Sequence, residues 1–181
     1  MIIANKKRKE NIAEYLLYMW QIEDSIRANN MDIDKIKANI IDKFDIIPEQ
    51  KEEMVEWYEN LIEMMRIEQK QESGHLQINK NVIVELSDVH SKLLGNDKEH
   101  FYTAAFYKTL PYIVELRSKA GENAVGEIET CFLALYGVLM LRMQGKPVSP
   151  ETLEAVKDIS TFLAILSDKY KQYKEGKLEL E

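Results

Sequence analysis

Few side chains in this sequence are of types that do chemistry alone, and their spacing limits what they can do together. The histidines are His75, His90 and His100, and Cys131 is the single cysteine. A helical di-metal carboxylate site needs Glu-x-x-His pairs with further glutamates facing inward. Glu-x-x-His spacing occurs once, Glu72 before His75 beside Gly74 in a loop, and Asp97 stands at the same spacing before His100, so the second Glu-x-x-His pair is missing. One cysteine excludes an intrachain disulfide and a four-cysteine zinc site. Phosphate loops, Gly-x-Gly-x-x-Gly turns, His-Glu-x-x-His and Gly-x-Ser-x-Gly are all absent from the sequence. No metal and no other cofactor is expected.

Three positions remain as candidates for a pocket or a polar network. Glu23 points into the apolar side of a helix defined by Ile12, Leu16, Met19, Trp20 and Ile26. Arg27 follows one turn later on the same side, at a spacing that lets the two side chains pair. A buried lone carboxylate is costly, so Glu23 must be neutralised by Arg27 or by another group. His90 lies at the edge of the stripe Ile83, Leu86 and Leu94, which predicts a half-buried imidazole satisfied by a neighbour. Its alternative role is acid, base or ligand, because its pKa moves easily across neutrality. Cys131 lies in the most hydrophobic segment, and a thiol there is expected to be inert.

The elements that position these residues read as helices throughout. Punctuation divides the chain into about seven segments: Lys6 to Ala28, Ile33 to Phe44, Pro48 to Gln71, Ile78 to Leu94, one ending near Lys119, Ala124 to Gln144, and one opened by Ser149-Pro150. Asn96 and Glu99 have capping-box spacing for the fifth, and Pro111 predicts a kink or break within it. The sixth is apolar around nearly its whole circumference from Cys131 to Leu141, which predicts a central, surrounded helix. Val156, Ile159, Leu163, Leu166 and Tyr170 form the buried stripe of the seventh. No run alternates with period two. The expected architecture is therefore an all-α multi-helix bundle around a hydrophobic central helix. One domain spans residues 1–181, with a basic N-terminal segment and a tail frayed after about 175.

Composition narrows the partners. The formal charge is −7, from 31 acidic and 24 basic residues. That balance argues against nucleic acid, which demands a concentrated positive field. The Lys6 to Lys9 quartet is the one basic cluster and lacks interleaved aromatics. Glu49, Glu52, Glu56, Glu59 and Glu63 form an acidic side on the third helix, read as solvated. The longest apolar run, Cys131 to Leu141, is eleven residues, against the roughly 20 that a membrane span needs. No membrane span is expected, and a lone cysteine fits a reducing, cytoplasmic setting.

The block Asn5-Lys6-Lys7-Arg8-Lys9-Glu10-Asn11-Ile12-Ala13-Glu14-Tyr15-Leu16-Leu17-Tyr18-Met19-Trp20-Gln21-Ile22-Glu23-Asp24 resembles the opening of a Bacteroidetes family, domain-of-unknown-function family 4924. The resemblance implies a bacterial, cytoplasmic protein and transfers no activity, cofactor or catalytic residue. The functional expectation from the residues is a non-enzymatic helical protein acting by protein–protein contact, including as a homodimer. The alternative is an enzyme or small-molecule binder with a pocket lined by Glu23, Arg27 and His90.

Overall fold

The computed structural model describes residues 2–180. Eight α-helices follow in order: α1 (Ile2–Glu10), α2 (Ile12–Ala28), α3 (Ile33–Asn39), α4 (Pro48–Ile67), α5 (Gln77–Leu94), α6 (His100–Ala120), α7 (Glu127–Met143) and α8 (Pro150–Lys174). Single 3₁₀ turns stand at Ile41–Lys43 and Gly121–Asn123, and no strand occurs among the described residues. The all-α class expected from periodicity is what forms.

The first expected segment is two helices, broken at Asn11. The Asn11 carboxamide oxygen accepts the Ala13 N–H at 3.1 Å and the Ser167 hydroxyl at 2.8 Å. An asparagine that captures the second amide of the following turn ends one helix and caps the next.

The chain forms two compact units. One comprises the residues up to Glu10 together with Glu14–Val82, and the other comprises Asn11–Ala13 with the residues from Ile83 onward. The boundary falls inside α5, so no Pro/Gly/Ser linker marks it.

In the first unit, α2 buries Leu16, Met19, Trp20 and Ile26, and α4 buries Met54, Tyr58, Leu61, Ile62 and Met65. Pro48 opens α4 at a first-turn position, as expected. Its glutamates Glu49, Glu52, Glu56, Glu59 and Glu63 are exposed, opposite the buried stripe. The turn after α2 places Asn30 and Met31 at φ 57° and 59°, in the left-handed region. Asparagine tolerates that conformation well, which suits Asn30 to the end of α2.

In the second unit, α6 and α7 both pack against α8 and against each other. Ile159, Leu163, Leu166 and Tyr170 of α8 are buried as expected, and Val156 is half-buried. Ser149 caps α8, accepting the Thr152 N–H at 3.2 Å. Residues 175–180 are not helical, and Leu180 among them is buried.

Three expectations in this unit are corrected. Asn96 does not start α6; its side chain accepts the Lys98 N–H at 2.9 Å, and the helix begins one turn later at His100. Glu99 is buried there and binds Lys169 Nζ at 2.7 Å, so it is unavailable for a capping box. Pro111 does not break α6, which runs unbroken to Ala120. Pro111 and Tyr107 both lie on the exposed side of the helix, where the Tyr107 carbonyl that proline leaves without a donor costs least. Finally, α7 is not a surrounded central helix. Ile128, Thr130, Cys131, Phe132 and Val138 are buried, but Leu135, Tyr136, Leu139 and Met140 are only half-buried, and Leu133 is 44% exposed. Helices α6 and α8 cover one side of α7 only.

Candidate functional site

Among the described residues, Glu23 is the most enclosed charged side chain, with 0% exposure. Its carboxylate is the acceptor of a network that ties the segment between α4 and α5 to α2. Oε1 accepts the Leu76 backbone N–H at 3.0 Å and Asn79 Nδ2 at 2.6 Å. Oε2 lies 2.6 Å from His75 Nδ1. A carboxylate only accepts, so Nδ1 carries the proton in this contact. The His75 ring stacks nearly flat on Trp20, with centroids 4.1 Å apart at 11°. Glu68 Oε2 accepts the Gln77 N–H at 2.7 Å. Two carboxylates distant in sequence thus sit at the positive N-terminal end of α5.

Arg27 does not pair with Glu23. Its Nη1 donates to Asp24 Oδ1 at 2.7 Å, and Nε and Nη2 donate to the Lys70 carbonyl at 3.2 and 3.1 Å. Nη2 also donates to the Gly74 carbonyl. The four-residue spacing does put both groups on one side of α2. There they grip successive parts of one loop, Arg27 at 70–74 and Glu23 at 75–79. This arrangement fixes a loop and the start of a helix, and the Asn79 Oδ1 beside Glu23 is left buried without a partner.

His90 belongs to a different cluster, within the second unit. It is buried more deeply than its stripe-edge position predicts. Phe106 and Phe162 meet its ring edge-on at 4.7 and 5.8 Å. Nδ1 is 2.5 Å from the Tyr102 hydroxyl, and Nε2 is 3.6 Å from Glu127 Oε2. Burial pushes the Tyr102 phenol far up, so that group keeps its proton and donates to Nδ1. Burial also lowers the His90 pKa, against the opposing pull of the Glu127 carboxylate. The neutral ring therefore carries its proton on Nε2, facing Glu127 across a gap too long for a hydrogen bond. Cys131 is sealed in the same core. Burial, and then the Glu127 charge, raise its thiol to about 12, which leaves no thiolate for chemistry at neutral pH.

Glu23 and His90 are buried and Arg27 is half-buried, and each has partners from distant segments of the chain or from the next helix. His75, in a loop beside Gly74, carries the weakest signal of the three histidines, because its contact with Glu23 spans 52 positions. Asn79 did carry one: it stands one turn before Val82 on the buried face of α5, where a polar side chain requires a partner. No group of three or more His, Cys, Asp or Glu side chains placed to hold a metal occurs among the described residues. No single helix among them is long and apolar enough to cross a membrane.

No curated protein and no solved structure matches the chain. The family model for Domain of unknown function (DUF4924) matches residues 1–177, nearly the full length. The chain belongs to that family.

Proposed function

We propose that this protein acts through protein–protein contact rather than catalysis, and that the open side of α7 is its contact surface. The observation that carries this reading is the segment Thr130–Leu141, twelve residues without a charged side chain. Leu133 within it is exposed, and Met143 just beyond it is 67% exposed. Apolar surface costs roughly 25 cal/mol per Å² while it faces water, and a contiguous exposed patch marks an interaction site. The groups with chemical potential are engaged elsewhere: Glu23 and Arg27 hold a loop, and Cys131 is sealed. The occupant of the surface is a second copy of the chain, as argued below. A buried lone thiol suits a reducing cytoplasm, and the net charge of −7 gives no support to a nucleic-acid role.

A photo-activated cross-linking residue tests this reading directly. Placed at position 133 of α7, it should form a covalent adduct with a protein in cells. Placed at the exposed Glu154 of α8, it should not. Absence of any protein adduct at position 133 contradicts the reading.

A further inference from the structure

We infer that the occupant of the α7 face is a second copy of this chain, packed antiparallel about a two-fold axis at the Tyr136–Gly137 step. The inference rests on α7 being a contact surface, and it names the partner.

Glu129, Leu133, Tyr136, Gly137, Met140 and Gln144 recur at steps of one, three and four residues, which puts them on one side of α7 and its C-terminal cap. That is the open side: Leu133, Gly137 and Gln144 are exposed, and Glu129, Tyr136 and Met140 are half-buried. The face is balanced about its own midpoint. Reversed along the helix, Leu133 falls on Met140, Tyr136 on Gly137, and Glu129 on Gln144. An antiparallel pair therefore sets Leu133 against the partner's Met140, and the two-fold axis repeats the contact. Gly137 lies at the crossing point, and nothing stands within 4 Å of where its Cβ would be. Two backbones can approach closely there.

Charge favours the same arrangement. Glu129 marks the N-terminal end of the face, and the exposed Lys146 follows its C-terminal end. Antiparallel packing brings Glu129 toward the partner's Lys146 and opposes the two helix dipoles. Parallel packing would stack Glu129 on Glu129 and align the dipoles. The apolar side chains exposed on α6, Phe101, Tyr107 and Val114, offer no such surface. Lys108 and Glu115 interrupt them, each holding its own ion pair, with Asp158 at 2.7 Å and Lys119 at 2.6 Å.

Area sets the strength. A helix of 17 residues is roughly 25 Å long and about 10 Å wide, so each copy offers about 250 Å² in projection. Doubled for side-chain relief, the two copies bury about 1,000 Å², just below the roughly 1,200–2,000 Å² of stable complexes. An interface below that range forms a reversible dimer, populated according to concentration.

Sedimentation velocity across micromolar concentrations tests the partner and the register together. Leu133→Lys and Met140→Glu each place a charge against an apolar group and should weaken association at least about tenfold. In the double variant, each lysine faces the partner's introduced glutamate, and dimerisation should return to within a few-fold of wild type. Circular dichroism keeps folding separate from association. Loss of helix in either single variant would mean that the position is structural and would overturn the proposal. A wild type that stays monomeric, or a double variant no better than the weaker single, would also overturn it. The cross-link at position 133 then separates the two claims. A monomer captured by a different protein removes the second-copy occupant and leaves α7 as a contact surface, whereas a monomer with no adduct removes both.

Discussion

At the scale of single residues, the account turns on two buried titratable groups with opposite needs. Glu23 stays in the core because three donors converge on it, two of them on one oxygen. Glu23→Gln removes the charge at the start of α5 and replaces one accepting oxygen with a donor, so His75 and the amide would both present hydrogens. The expected cost is about 2–4 kcal/mol, read from the urea midpoint. A midpoint within error of wild type would show the network to be dispensable. His90 predicts a pH dependence. Its pKa in the folded protein lies below the ordinary 6.5, so the unfolded chain takes up the proton first as pH falls. The stability contributed by the neutral ring is complete above that value and declines below it. Unfolding free energy should therefore fall as pH drops below about 6.5, and His90→Gln should flatten that part of the slope. These roles were only half legible in the sequence. A carboxylate on an apolar face demands a partner, but helix spacing proposes only near neighbours such as Arg27. The true partner is His75, in a loop reached only by the fold.

At the scale of elements, periodicity located nearly every helix, and the departures have local causes. The break at Asn11 was written in the sequence as Asn-x-x-Glu, Asn11 to Glu14, inside an otherwise helical run. Pro111 shows the reverse case, a strong breaker that α6 absorbs because it stands on the wet side. Pro111→Ala should restore the hydrogen bond to Tyr107 and relieve the ring clash. The unfolded chain gains freedom in exchange, and the net expectation is a stabilisation of about 1–2 kcal/mol in thermal or urea unfolding. A loss of stability would mean that the proline ring packs against something α6 needs. For α7, all-round hydrophobicity predicts burial within the chain, yet Leu133 is exposed and Leu135, Tyr136, Leu139 and Met140 are half-buried, because composition does not say how many neighbours the fold brings to a helix.

At the scale of the whole molecule, the two compact units carry different tasks. Polar groups of the first clamp a loop and a helix start, while the second exposes a largely apolar side of α7 around Leu133. Nothing in composition marks the division, since the boundary passes through the middle of α5. The self-pairing of α7 is the central claim, and hydroxyl-radical footprinting at two protein concentrations tests it most directly. Leu133, Met140 and Met143 should be labelled freely in dilute protein and protected when it is concentrated, while Phe101 and Tyr107 on α6 stay equally labelled in both. Equal labelling of the α7 residues at both concentrations, or protection that appears on α6 instead, would contradict the account.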